Sequence, residues 1–273
     1  MSAYDLTTVA NVKAWLGLPS PPTPSDATIS ALVTAASRAI YAALSRPSLL
    51  PKTYTDTIDL DSDRVYLANW PVQEVSSVIL DGLAVPPAAP ASAPPTLGYL
   101  LQPSDGVPPG RPQALDLFGR RYHRRRQNLV VSYQAGYAIL DETWAAPSSA
   151  PNLLNAAAPY GAWANDLGVV YASSGVALQA VTTAPAAGQY SVSAGVYRFS
   201  QADAGAALSL SYGFVPQDLA QAATELAAER FRAAEHIGLR SKTLGGQETI
   251  AYDVSGMSAA VQLLIAPYKR TMI

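Results

Sequence analysis

Cysteine does not occur anywhere in the 273 residues. That removes disulfide scaffolds, thiolate zinc sites, iron–sulfur clusters and cysteine nucleophiles. Only two histidines are present, His123 and His236, far apart and without acidic or histidine company at ligand spacing, so oxygen ligands would have to dominate any metal site. Charge is scarce as well: 14% of the residues are Asp, Glu, Lys or Arg, against roughly 25% in an ordinary soluble domain. The formal net charge of −2 excludes a polycation that coats nucleic acid or anionic lipid by bulk attraction. No uninterrupted apolar run reaches the length of a spanning helix, and Met1-Ser2-Ala3-Tyr4-Asp5 lacks the basic-then-apolar pattern of a secretory signal. A chain that stays where it is made, with no membrane span, is the expectation. Also missing are Gly-x-Ser-x-Gly, Gly-x-Gly-x-x-Gly and His-Glu-x-x-His. The reading is of a protein that is not an enzyme and carries no cofactor.

What is present suffices for a large core, since 49% of residues are hydrophobic. Thr7 or Thr8 can cap a short helix over 9–16 that Gly17 ends. Ser25 can cap a second whose Ile29, Leu32, Val33, Ala36, Ile40 and Leu44 recur at helical spacing until Arg46-Pro47. From 53 to 85 the texture turns to short β-prone runs, 54–60, 64–67 and 75–80, the last closing on Asp81-Gly82. Residues 86–112 hold nine of the 22 prolines and read as an exposed loop. Strands at 114–118 and 129–133 then suggest a long hairpin around an arginine cluster. Between 167 and 214 lies a nearly uncharged block of short strands joined by Gly, Pro, Ser and Asp, the pattern of a small all-β module. Val215-Pro216 opens the longest helix, with Leu219, Ala223, Leu226, Phe231 and Ala234 on its apolar face. A Gly/Ser/Thr-rich loop over 241–256 precedes a terminal helix over 258–268. Because Leu129-Val-Val-Ser-Tyr133 and Leu208-Ser-Leu-Ser-Tyr212 are similar strand endings, and either could feed Val215-Pro216, residues 140–214 read as an insertion.

Three local patterns invite chemistry. Ser241-Lys242-Thr243 is similar to the end of a phosphate-binding loop, but serine stands where glycine must let the backbone approach a phosphate. Asp59-x-Asp61-x-Asp63 resembles the start of a calcium loop, yet Arg64 and Trp70 occupy the positions that need glycine and glutamate. Period-2 spacing puts the three aspartates on one solvated strand face instead. The strongest pattern is Arg120-Arg121-Tyr122-His123-Arg124-Arg125-Arg126. Residues 111–126 carry six basic side chains and one acidic, while residues 1–110 carry five and nine, residues 127–215 one and four, and residues 216–273 six and six. This segment is therefore the chain's one positive field. Guanidinium groups with an interleaved tyrosine suit a nucleic-acid backbone or an acidic protein partner; a solvated hairpin whose charges protect its edges is the bland alternative.

Four stretches together resemble the head-to-tail connector (adaptor, head completion) family of tailed bacteriophages. They are the helix pair 6–18 and 26–46; 67–82, with Pro71-Val72-Gln-Glu-Val75-Ser-Ser-Val78-Ile-Leu-Asp81-Gly82; 129–137, with Val131-Ser-Tyr133-Gln-Ala-Gly136-Tyr137; and Val215-Pro216-x-Asp218-Leu219 opening a long helix, then a Gly/Ser loop and a short terminal helix. The resemblance implies an α+β fold: a helical adaptor core with two N-terminal helices, a long C-terminal helix and a short terminal helix, a small β-sheet with a long hairpin, and an inserted all-β module. The core would occupy 1–139 and 215–273, the module and its linker 140–214. It further implies a structural virion protein, made in the host cytoplasm and residing in the neck. As a ring of twelve copies it would sit beneath the portal protein, above a stopper or tail-completion protein, and prolong the channel through which double-stranded DNA leaves the head, without sequence recognition. Arg120, Arg121, Tyr122, Arg124, Arg125 and Arg126 are then candidates for DNA or partner contact. Val261, Leu264, Ile265, Tyr268, Lys269 and Arg270 are candidates for portal or neighbour contact, since the terminal helix could lay its apolar face in a partner groove. Packing on the helix that follows Val215 is the alternative for that face. A different class of function, a ligand- or carbohydrate-binding protein, would draw on Tyr160, Trp163 and Tyr171.

Overall fold

A computed structural model describes residues 4–88, 98–103, 113–119, 125–234, 241–244, 248–251 and 256–270. The chain divides into two compact units, Ser48–Pro216 with Arg270–Ile273, and Met1–Pro47 with Gln217–Lys269.

The larger unit is built of fourteen strands among the described residues: β1 (Lys52–Leu60), β2 (Arg64–Tyr66), β3 (Val72–Leu80), β4 (Leu83–Ala84), β5 (Gly98–Leu101), β6 (Ala114–Phe118), β7 (Arg125–Ala135), β8 (Ala138–Ala145), β9 (Leu153–Asn155), β10 (Gly161–Tyr171), β11 (Gln179–Ala180), β12 (Gln189–Ser193), β13 (Val196–Phe199) and β14 (Ala207–Pro216). They form four sheets in the orders β1-β7-β3-β4, β2-β6-β5, β10-β14-β8 and β11-β12-β13-β9. Alternation sets which side is buried. In β14, Leu208, Leu210 and Tyr212 are buried while Ser209 and Ser211 are half-buried, the period of two that a half-covered strand requires. The first two sheets share one aliphatic cluster containing Leu60, Leu67, Leu115, Leu129 and Val131. The other two share a cluster dominated by Tyr190, Tyr197, Phe199, Leu210 and Tyr212. Between the two regions the chain turns at Gly136, whose φ of 146° favours glycine. A Cβ there would meet the backbone of Leu50 and Pro51 at 2.4 Å, so no side chain fits.

The smaller unit holds α1 (Val9–Leu16), α2 (Asp26–Leu44), α3 (Gln217–Ala233), α4 (Ala259–Ile265) and a two-stranded hairpin of β15 (Ser241–Leu244) and β16 (Glu248–Ala251). Helix α1 starts where Thr8 Oγ1 accepts the Asn11 N–H at 3.1 Å and ends at Gly17 with φ 70°. Helix α2 is long and apolar enough to cross a membrane by length and composition. Its Ile29, Val33, Ile40 and Leu44 are nevertheless buried inside this unit, where α2 packs on α3. Lys13, only 3% exposed, joins α1 to the start of α2 through Asp26 Oδ1 at 2.8 Å and the Pro21 carbonyl at 2.7 Å. The hydrogen bond from Lys13, reinforced by Thr23, holds the Asp26 carboxyl below its ordinary range.

Four sequence expectations are corrected. The α+β fold with a helical adaptor core is not formed: the described chain is mostly β, with four sheets in the larger unit, and its α-helices belong to the smaller one. The excess of strand comes partly from stretches whose turn-rich composition disguised them, since the proline-rich segment contains β5 and the Gly/Ser/Thr-rich loop contains β15 and β16. Strands β6 and β7 do not form a hairpin with each other; β6 pairs with β2 and β5, and β7 with β1 and β3. Ser25 occupies the N-cap of α2 but caps nothing with its side chain.

Candidate functional site

The motif-bearing strands of the first sheet are neighbours. Strand β3 pairs antiparallel with β7, placing Val78 opposite Val131 and Val75 opposite Tyr133, and β1 flanks β7 on its other side. Tyr133, fully buried, donates from its hydroxyl to Asp56 Oδ2 on β1 at 2.5 Å and accepts the Asn69 backbone N–H at 3.1 Å and its side-chain amide at 3.2 Å. Burial, with the Asp56 carboxylate beside it, pushes the Tyr133 phenol far above its ordinary range. The tyrosine of the Val-x-Tyr motif thus locks β1, β7 and the segment before β3 together.

The base of the arginine segment rises from the same strands. Gln127, with φ 53°, donates its backbone N–H to Asp59 Oδ1 at 2.7 Å, and Asn128 Oδ1 accepts the Leu60 N–H at 3.2 Å. These two bonds bridge the register shift where Leu60 pairs with Arg125. Arg126 is exposed there. Arg120, Arg121, Tyr122 and Arg124 lie outside the described residues, as do His123 and His236; Arg125 is described only as part of the β7 backbone.

Asp59 ends up on β1, whereas Asp61 and Asp63 belong to the turn before β2, so the three aspartates do not share one strand face as their spacing suggests. The turn is held by Ser62 Oγ donating to the Arg64 carbonyl at 2.6 Å and by the Leu117 N–H donating to the Asp63 carbonyl at 2.8 Å. Among the described residues no group of three His, Cys, Asp or Glu side chains is placed to hold a metal ion. Along β1 and β2 runs an open groove of about 820 Å³, with Asp56, Asp59, Asp61, Arg64 and Arg270 among its lining. Arg64 is committed within it: its guanidinium grips Asp116 through Nε at 2.6 Å and Nη2 at 2.9 Å. That grip, with an amide hydrogen bond from Gln102, draws the Asp116 carboxyl below its ordinary range.

Of the terminal-helix candidates, Val261, Ile265 and Tyr268 are buried, Leu264 is half-buried, Lys269 is exposed and Arg270 half-buried. Helix α4 packs on α3, and the Tyr268 hydroxyl donates to Asp218 Oδ2 at 3.0 Å. Ser241, Lys242 and Thr243 lie in β15, paired with β16, and open no helix.

Sequence reasoning missed a set of carboxylate acceptors in 138–216, three partly or fully buried and one, Asp141, exposed. Asp166 takes the hydroxyls of Tyr190 at 2.5 Å and Tyr197 at 2.9 Å; Tyr197 in turn accepts the Trp163 indole N–H at 3.2 Å. Asp203 takes Tyr171 at 2.6 Å and the Gly188 N–H at 3.1 Å, Glu142 takes Tyr212 at 2.8 Å, and Asp141 takes Ser209 at 3.2 Å. These are all four acidic residues of 127–215. Burial first, then the neighbouring carboxylates, push Tyr190, Tyr197 and Tyr212 far above the ordinary phenol range, although the Trp163 N–H opposes the shift at Tyr197. Of the aromatic trio considered for carbohydrate, Trp163 and Tyr171 are bound into this set, and Tyr160 packs against Phe214 at 6.1 Å between ring centres. Tyrosines alternating with Gly, Ser and Asp were the available signal.

No family model and no curated protein matches the chain. Among solved structures, a chain from one described as "Neck of empty GTA particle computed with C6 symmetry" aligns with all of this chain and 95% of its own length, at 14% identity and a TM-score of 0.36. So low a score equates neither fold nor function.

Proposed function

We propose that this protein is a structural component of a phage-type virion neck, an adaptor that assembles as a ring beneath the portal, extends the DNA channel and offers a platform to the next neck or tail protein. One observation carries the reading: the connector-like stretches occur in a single order along the chain, and two of them, 71–82 and 131–137, fold as paired strands of one sheet whose motif tyrosine, Tyr133, ties three segments together. The fourth, Val215 to Leu219, opens α3 directly from β14, with Asp218 in its first turn. On this reading the copy number is twelve and the positive segment 120–126 faces DNA or a neighbouring subunit. Electron microscopy of the purified protein and of isolated neck complexes tests it. Rings, or an added layer under the portal, are expected; a protein that stays monomeric and is absent from particles contradicts it.

A further inference from the structure

Within the smaller unit, Trp15 is 54% exposed on α1, an unusual place for the largest apolar side chain. It lines a small open pocket of about 240 Å³ together with Glu225, Glu229 and Arg232 of α3. Helix α1 packs on α3, and Glu225 and Glu229, four residues apart, fall on the same helix face. Glu225 is half-buried and accepts only the Gln221 side-chain amide, at 2.8 Å; Glu229 is exposed and makes no ion pair or hydrogen bond among the described residues. An indole face beside two carboxylates is the arrangement that receives a guanidinium: the ring attracts the cation, and the carboxylates accept its planar N–H donors. Arg232, which also lines the pocket, opposes a large cationic surface there.

From this pocket and the chain's charge distribution we infer that the Trp15–Glu225–Glu229 pocket receives an arginine from segment 120–126 of a second copy of this chain. Charge complementarity selects that occupant. Residues 111–126 hold six basic side chains and one acidic, while no other segment has such an excess, and Arg126, the one whose side chain is described, is exposed and makes no ion pair among the described residues. Because the pocket and the arginine segment are different surfaces of the chain, the contact can repeat head-to-tail from copy to copy, the type of contact that closes into rings. The inference deepens the ring reading and rests on it.

The test is self-association of the full-length protein, followed by sedimentation and native mass spectrometry across concentration, with far-UV circular dichroism to confirm folding. The wild type is expected to form oligomers. Trp15→Ala, and separately Glu225→Arg with Glu229→Arg, should weaken association by at least about tenfold, as truncation of an interface anchor does. Reversing Arg124, Arg125 and Arg126 to Glu should do the same, and combining both reversals should restore association in part. A folded Glu225→Arg/Glu229→Arg protein that associates as tightly as wild type, or a wild type that never associates, overturns the contact. Incorporation into particles is read separately: particles that contain the Glu225→Arg/Glu229→Arg protein at wild-type level overturn the contact and leave the neck reading standing, whereas absence of the wild type from particles overturns the neck reading itself.

Discussion

The two β regions of the larger unit, 52–135 and 138–216, solve the same packing problem with different side chains. In the first, the shared cluster is Leu and Val with one buried tyrosine, and its stabilisation is the removal of apolar area from water. In the second, Tyr190, Tyr197, Phe199 and Tyr212 fill the centre, with Tyr190, Tyr197 and Phe199 in contact at ring separations of 5.9 to 6.5 Å. Aromatic rings bring hydroxyls into the interior, and a buried hydroxyl needs a partner. Asp166, Asp203 and Glu142 supply it. The low charge of this region is therefore not only a matter of a bland surface. The few carboxylates present are consumed as acceptors, and Arg198 is the sole basic side chain across 127–215.

Substitutions should separate the two regions. The largest effect is expected from Leu129→Ala in the aliphatic cluster, where Leu129 is fully buried: about 3 kcal/mol of unfolding free energy lost in urea titration, since a cavity remains. Asp166→Ala should cost about 2 kcal/mol in the same measurement by leaving two tyrosine hydroxyls without their acceptor, although it removes little apolar area. If Asp166→Ala is silent, the aromatic region is held by its rings alone and the distinction between the two regions collapses.

The regions should also part in alkali. Tyr190, Tyr197 and Tyr212 have folded-state values raised above the ordinary 10.0. A raised value means the contribution is complete below pH about 10 and is lost as pH climbs toward the folded-state value. Among the described residues the aliphatic region has two, Tyr133, raised far by burial and the Asp56 carboxylate, and Tyr99, raised by burial. Tyrosinate absorbance followed against pH, with circular dichroism alongside, should show these phenols ionising together with unfolding; independent ionisation near pH 10 in a folded protein would contradict their burial. The smallest effect belongs to Arg64→Ala. Its side chain is 56% exposed, so loss of the Asp116 pair should move the urea midpoint less than either substitution above. A larger shift would mean that this pair, and not the aliphatic cluster, organises β2 and β6.

Much of this architecture is legible in residues. Both N-terminal helices follow from their apolar periodicity, and α1 from Thr8 and Gly17; the strands of 168–212 follow from alternation between turn residues. What periodicity cannot convey is partnership. Strands β6 and β7 are close in sequence and lie in different sheets, because β7 finds β1 and β3 on either side while β6 completes a sheet with β2 and β5. Strand β5 was hidden because Gly98 and the surrounding prolines carry no strand signal, and its place comes from pairing with β6. At the candidate site, the arginine segment is conspicuous in the sequence. Its anchoring by Asp59 and Asn128 is not, since those bonds join residues 68 apart.

The proposed place of this chain is the neck of a virion. Quantitative protein composition of purified particles, with antibody labelling of the chain seen by electron microscopy, tests it most directly. The expected result is a fixed multiple-copy number per particle, with label confined to the head–tail junction; a chain missing from purified particles, or label away from that junction, would contradict it.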